Sequence, residues 1–207
     1  LIRQGIDFRV FGEVVGFSGE QAIIMMLGQT TGIRSGDPVV GLHATKTIPV
    51  GRSMLGRVLN GLGQPIDNGP PLHSLVPQNL DPPPLSAMNR KRIALPMHTG
   101  LRAIDLMTTL GKGQRMGLFA GPGVGKSTLM GAITRGASSD INVIALIGER
   151  GREVLDFIEH SLGPAGLARS VVIVATGDES PLMRIRAAMS ACAVAEFFRD
   201  HGQHVML

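Results

Sequence analysis

From Phe8 to Ala44 the apolar residues come in short runs, Phe8 to Val15, Ala22 to Leu27 and Val39 to Leu42. Ser18-Gly19-Glu20 and Ser35-Gly36-Asp37-Pro38 separate them. Short apolar runs punctuated by turn residues predict the strands of a small all-β unit. Three or so strands are too few to close a barrel, so residues 1–47 are expected to be the remnant of a larger β domain. Between Gly61 and Pro96 the chain is dense in Gly and Pro, with Gly69-Pro70-Pro71 and Asp81-Pro82-Pro83-Pro84. Proline imposes extended backbone there and excludes helix or central strand. Residues 48–96 are therefore expected to connect two units over the surface.

After Pro96 the pattern changes to alternating apolar strands and amphipathic helices. It predicts a strand at Met116 to Ala120, a helix at Lys126 to Arg135, a strand at Val143 to Ile147, a helix at Arg152 to His160 and a strand at Val171 to Ala175. Such alternation means an α/β core over residues 97–207, built on a parallel sheet with crossover helices. The next helix begins with Ser180 as N-cap and Pro181 at its first position. It places Leu182, Ile185, Met189, Cys192 and Phe197 near one face and should run to about Asp200. His201-Gly202-Gln203 breaks it, and Val205-Met206-Leu207 opens a further strand.

The 207 residues, 43% of them hydrophobic, can bury a substantial core. The longest apolar stretches fall far short of the roughly 18 residues that span a bilayer, so no transmembrane helix is expected. The N-terminus lacks both Met and the basic-then-apolar start of a signal peptide, and reads as a cut end in a cytoplasmic protein. The single cysteine, Cys192, excludes an internal disulfide. Among small apolar neighbours it is expected to be a buried, inert thiol. The net charge of +4 comes from scattered basic residues, and there is no Trp or Tyr to stack bases, so no nucleic-acid partner is expected. Arg90-Lys91-Arg92, the one basic cluster, reads as a solvated linker, with contact to an acidic partner or membrane surface as the alternative. The six histidines are dispersed and carry no metal-ligand spacing.

The strongest chemical signal is Gly121-Pro122-Gly123-Val124-Gly125-Lys126-Ser127-Thr128, between a predicted strand and a predicted helix. Its glycines let backbone N–H groups turn inward around phosphate oxygens, and the helix N-terminus favours negative charge. Lys126 would reach the β and γ phosphates, and the Ser127 hydroxyl would serve Mg²⁺. The ligand is read as ATP with Mg²⁺. Ala120 replaces the first Gly of the usual GxxxxGK[ST] pattern, a change that leaves the anion-binding glycines intact.

Gly148-Glu149-Arg150-Gly151-Arg152-Glu153 follows the next strand. Loops after successive parallel strands collect on one edge, so Glu149 and Lys126 should converge on one crevice. A carboxylate there can orient the water that attacks the γ-phosphate, and an adjacent arginine can neutralise developing charge; Glu149 and Arg150 suit these roles. Thr176-Gly177-Asp178-Glu179-Ser180 reaches the same edge, but helix entry accounts for its charges. At Thr99-Gly100-Leu101-Arg102-Ala103-Ile104-Asp105, Thr99 can cap a short helix whose charged residues face solvent.

Taken together, these motifs resemble the hexameric ATPases of type III protein export in flagella and injectisomes, relatives of the catalytic subunit of rotary ATP synthases. The resemblance covers nearly the whole chain. It rests on Val14 to Phe17, Leu55 to Asp67, Thr99 to Asp105, the phosphate loop and Ile147 to Glu153. The stretch Thr176 to Ala188 looks like the export branch, whereas synthase subunits carry an Asn-Glu-Pro-Pro type of sequence there. The resemblance implies a RecA-like P-loop domain behind the β-barrel remnant, with Glu149 as catalytic carboxylate, Arg150 beside it, Lys126 on phosphate and Ser127 on magnesium. It also implies ATP hydrolysis in a hexameric ring coupled to chaperone release and substrate unfolding. The implied partners are export substrates, chaperones, and stalk and stator proteins, at the cytoplasmic face of the inner membrane with peripheral association at most. Alternatives are a rotary or vacuolar-type synthase subunit, a ring motor on nucleic acid, and a non-catalytic nucleotide-binding module. Family members place a Walker B aspartate, an arginine finger and an adenine-stacking aromatic beyond the strand that ends here at Leu207. The chain is accordingly expected to be a fragment that binds nucleotide weakly and hydrolyses it poorly.

Overall fold

The structure, a computed structural model, describes residues 9–28, 30–42, 46–121 and 123–207. The first strands are β1 (Gly12–Ser18) and β2 (Gln21–Met26), an antiparallel hairpin turning at Gly19-Glu20 as the punctuation predicts. The expected third strand at Val39 to Leu42 does not form. Val39, Val40 and Leu42 lie 61, 57 and 67% exposed, because a two-stranded hairpin has no second layer against which a third run could be buried. Phe8 and Ala44, the limits of the predicted β unit, fall outside the described residues.

Next come β3 (Thr47–Val50), β4 (Val58–Asn60), β5 (Val76–Asn79), β6 (Pro96–Met97), helix α1 (Arg102–Met107) and β7 (Leu110–Gly111). The Gly/Pro-rich segment is therefore more structured than its composition predicts. β5 pairs with β3 as a separate two-stranded ribbon, with Pro77 opposite Pro49, which keeps both prolines off a central strand. Just ahead of that segment, β4 enters the main sheet: Val58 and Leu59 are buried beside β9 (Ser170–Ala175). Three residues are too short to show a period, so only the free edge of β9 makes them a strand.

A bidentate ion pair locks this insertion. Asp67 accepts from Arg57 Nη2 at 2.7 Å and Nε at 2.8 Å, and also from the Val58 and Gly69 amides at 2.9 and 3.1 Å. Arg57 Nη1 donates to the Pro70 carbonyl at 2.6 Å. The guanidinium, followed by the two amides, holds the Asp67 carboxyl far below the ordinary carboxylate range against the opposing effect of burial. A depressed folded pKa contributes stability above the unfolded value of about 3.9, and that stability is lost as pH falls below it. Asp67→Ala is expected to cost about 2 kcal/mol at pH 7, by stranding a sheltered guanidinium. Urea midpoints should show the difference from wild type shrinking between pH 5 and pH 3.

The main sheet has the order β10-β8-β9-β4 and is parallel throughout. It contains β8 (Ile141–Ile147), β9 and β10 (Val205–Met206). Every residue of β9 is buried, as befits a parallel strand covered on both faces. Val143, Val171 and Ile173 face one core with α5 (Pro181–Asp200), while Ile144, Leu146, Val172 and Val174 face the other. The second core is covered by α2 (Lys126–Gly136), α3 (Gly151–Asp156), a π-helical segment at Phe157–Leu162 and α4 (Gly163–Ala168). Phe157 and Leu162 are five residues apart and both buried. The i to i+5 turn is what puts that spacing on one face, and it carries the helix past the predicted end at His160.

The predicted strand at Met116 to Ala120 does not form and pairs with no neighbour among the described residues, with Phe119 96% exposed. The sheet's edge strands, β10 and β4, are two and three residues long, and neither offers a ladder to match a five-residue run. Helix α5 agrees with its predicted ends, and Ser180 Oγ accepts from the Met183 amide at 3.2 Å. Its buried face agrees with the predicted one only in part. Met183, Ala187, Ala191, Val194 and Phe198 pack inward, while Ile185 and Cys192 are exposed. Small alanines let the helix sit close to β8 and β9; of the predicted stripe, Leu182 and Phe197 are buried in that core and Met189 packs against it, so Ile185 and Cys192 are the members that point away. Cys192 is thus not the buried thiol its neighbours suggested. Among the described residues no helix is long and apolar enough to cross a membrane.

Candidate nucleotide site

α2 begins at Lys126, the residue predicted to open it. Gly125, its N-cap, has φ +96° and Gly123 has φ +74°, left-handed conformations that favour glycine. They let the chain reverse into the helix with its first amides unpaired by the helix itself. Val124, Lys126, Ser127 and Thr128 are exposed, as is Gly121, which has open space on its Cβ side. Pro122, assigned to the same loop, lies outside the described residues.

If the loop end of α2 is open, its far end is bound closely. Arg169 Nη2 donates to the carbonyls of Ala137 at 2.7 Å and Thr134 at 3.2 Å, satisfying acceptors that a helix C-terminus leaves unpaired. Buried Asn142 donates to Thr134 O at 3.1 Å and is itself held by Ser139 Oγ at 2.6 Å. A Cβ on Gly136 would lie 2.5 Å from the Thr99 carbonyl. Buried Thr99 is in turn held by Asp105, which accepts its amide at 2.8 Å and its hydroxyl at 2.7 Å. Those two bonds, the amide first, depress the Asp105 pKa. Asp105 therefore turns back to brace Thr99, where the sequence suggested a charge facing solvent. Gly136→Ala should destabilise the chain by about 1–3 kcal/mol through this clash with backbone, outweighing the helix-propensity gain of about 1 kcal/mol. Urea denaturation is the check, and a stabilised variant would contradict the close approach.

Glu149 follows β8, whose last rung is the Gly148 amide on Ala175 O at 2.7 Å. Its own carbonyl accepts from the Gly177 amide at 3.1 Å. The loops after β8 and β9 thus meet on one sheet edge, as the parallel order requires. Arg150 is the N-cap of α3, and its carbonyl accepts from the Glu153 and Val154 amides. Its guanidinium is mostly exposed and stands 3.9 Å from Glu153 Oε1.

Ser127 faces α3 across a cleft of about 370 Å³ lined by Arg152, Glu153, Asp156 and Phe157. Lys126, Glu149 and Arg150 do not line it. The structure therefore unites Ser127 with a face of α3 to which the sequence analysis gave no chemical role. The signal was legible, since residues 152, 153, 156 and 157 share one face at helical spacing. The cleft thus offers a hydroxyl, two carboxylates and a guanidinium, while among the described residues no three His, Cys, Asp or Glu side chains are grouped so as to hold a metal ion by themselves. Asp178 is held in the ionised form chiefly by a hydrogen bond from Thr176, and it sits at the entry to α5 with the Ser180 cap.

Two family models match the chain: the ATP synthase alpha/beta family nucleotide-binding domain over residues 100–207, and the beta-barrel domain of the same family over residues 3–43. A flagellum-specific ATP synthase of Treponema pallidum (strain Nichols) is 48% identical over 207 residues, covering 100% of this chain and 46% of that protein. A type 3 secretion system ATPase of Xanthomonas euvesicatoria is 50% identical over 197 residues, covering 94% and 44%. Among solved structures, the assembled ATPase EscN from the enteropathogenic E. coli type III secretion system aligns with a TM-score of 0.88 at 38% identity, covering 99% of this chain and 49% of that one. EscN in complex with its central stalk EscO aligns at 0.82 and 39% identity, covering 94% and 48%. The chain spans about half the length of the curated relatives it matches.

Proposed function

The chain belongs to the ATP synthase alpha/beta family, and from that premise we propose that it carries the ATP-hydrolysing site of a type III protein export motor. The observation that carries this reading is the entry to α2. Two left-handed glycines open a loop, Lys126 is the first helical residue, and Ser127 borders a cleft with Glu153 and Asp156. Gly121 has neither a positive φ nor a neighbour that would exclude a side chain. Close approach of a phosphate to the backbone is a physical reason for glycine there.

In this reading the amides of Gly121 and residues 123–128 and the positive end of α2 bind the phosphates, and Lys126 neutralises the β and γ charges. Ser127 would hold Mg²⁺, with Glu153 and Asp156 lining the same cleft; the ion would supply charge neutralisation at the phosphates. Glu149 orients the attacking water and Arg150 offsets charge in the transition state. The assembled EscN and its complex with a central stalk support an oligomer around a stalk, in this proposal a hexameric ring of identical subunits. Export substrates, chaperones and stator proteins are its proposed partners, at the cytoplasmic side of the inner membrane. Residues 1–47 form its partial β-barrel, 48–96 the connecting segment, to which β4 in the sheet belongs, and 97–207 the nucleotide-binding core.

Mg·ATP turnover tests the proposal, measured on the 207-residue chain and on a version extended to the relatives' length. The extended version is expected to release phosphate at a rate per subunit that rises with protein concentration as sites assemble between subunits. A rate per subunit that stays flat would remove the ring. No release at all would remove the hydrolase.

A further inference from the structure

Arg186, in the second turn of α5, is an ion-paired cation on a helix whose inward face is otherwise mostly apolar. Its Nη1 is bonded to Glu13 Oε1 in β1, and both side chains are sheltered, at 16 and 18% exposure. Its Nη2 donates to the Thr47 carbonyl at the start of β3 at 3.3 Å, and Lys46 Nζ stands 3.5 Å from the second Glu13 oxygen. The hairpin, the segment leading into the core and α5 therefore meet at one guanidinium. Arg186 Nε is buried with no hydrogen-bond partner. A sheltered ion pair of this kind is a poor stabiliser compared with apolar packing, and its better-attested use is to specify one arrangement over another.

That arrangement reaches the nucleotide edge of the sheet. α5 starts at Ser180, whose hydroxyl caps Met183 and whose carbonyl accepts the Arg184 amide. The loop before it is closed by Glu179 N on Thr176 O, and Gly177 N holds the Glu149 carbonyl at 3.1 Å. A Cβ on Gly177 would lie 3.3 Å from the Gly148 carbonyl, so the two loop backbones run close together at this point. Rigid helix, capped end and loop-to-loop hydrogen bond form one contiguous path from Glu13 to Glu149.

We propose that Arg186 is a positioning residue for Glu149, setting the α5 entry loop according to how the N-terminal hairpin is seated. The proposal rests on the reading of Glu149 as the carboxylate that orients water. A shift of the hairpin draws on Glu13, tilts the first turns of α5 through Arg186, and moves the Gly177 amide that fixes the Glu149 backbone. The N-terminal unit would then gate turnover without touching nucleotide.

The test is steady-state Mg·ATP hydrolysis by the chain extended to its relatives' length, carrying Glu13→Gln, Arg186→Gln, both together, or the exchange Glu13→Arg with Arg186→Glu. Each single variant is expected to lower kcat about 5-fold with KM unchanged, within the range that residues along coupling paths show. The double variant should be no worse than either single one, and the exchange should recover most of the loss. Arg186→Lys, which keeps the charge, provides a milder variant should the glutamine fail to fold. Additive losses, a change confined to KM, or a lowered Tm with kcat intact would overturn the proposal and leave a structural strap. Lys126→Ala runs alongside: if it still turns over at the wild-type rate, the phosphate-loop reading fails independently.

Discussion

Lys126→Ala should weaken ATP binding by about 10- to 100-fold, the loss associated with one hydrogen bond to a charged group. The fold is not at risk from this change. Lys126 is exposed, and it begins α2 at a position where alanine is a better helix former than lysine. The loop conformation belongs to Gly123 and Gly125, which the variant leaves alone. What disappears is a compact cation at the positive end of the helix, aimed where the outer phosphates are proposed to lie. The effect should therefore be large for ATP and small for AMP. Lys126→Arg should give an intermediate loss, since a planar fork does not reproduce a point charge on a short reach. Calorimetric titration with ATP, ADP and AMP in the presence of Mg²⁺ decides the matter. Equal affinities for wild type and Lys126→Ala would show that the phosphates bind elsewhere.

Glu149→Gln separates chemistry from binding. Glutamine preserves the size and the hydrogen-bonding reach of the side chain but removes the negative charge that orients and polarises water. The backbone of Glu149 is held by Gly177 regardless of the side chain, so the loop should keep its place. In the extended protein kcat is expected to fall about 10²- to 10⁴-fold, the usual weight of a general base, with ATP affinity changed little. Glu153 supplies the internal comparison. It lines the cleft with Ser127, so its loss should raise the Mg²⁺ concentration needed for half-maximal rate. If Glu149→Gln turns over normally while Glu153→Gln does not, the catalytic carboxylate has been placed one helical turn too early in the chain.

Much of the helix and sheet pattern was legible before any coordinates. The start of α2 at Lys126, the Ser180 cap and the end of α5 at Asp200 are all written in local chemistry. Glycine at φ +96°, a hydroxyl before a proline and a glycine after a charged turn act over three or four residues. The alternation of β8 and β9 likewise shows in sequence, because a parallel strand buried on both faces must be apolar throughout. The failures have a common form. Met116 to Ala120 and Val39 to Leu42 are good strand sequences without a matching edge, whereas Val58 to Asn60 is an unremarkable triplet that found one. Strand propensity describes a surface that fits a pleat; pairing requires a partner of the right length in the right place.

The candidate site divides along the same line. By itself the sequence determined the fold class, the glycine-rich loop proposed to bind phosphate, the helix that follows it and the order in which loops collect on one edge. Each of these follows from residue type, spacing and the handedness of parallel connections. Only the tertiary structure decided that Ser127 faces Glu153 and Asp156, that Thr99 and Gly136 meet backbone to backbone, and that Glu13 reaches Arg186. The reason is distance along the chain. Residues 127 and 153, or 13 and 186, carry no mutual pattern in sequence, and they become neighbours only when burial of the two cores brings the helices and strands against the sheet.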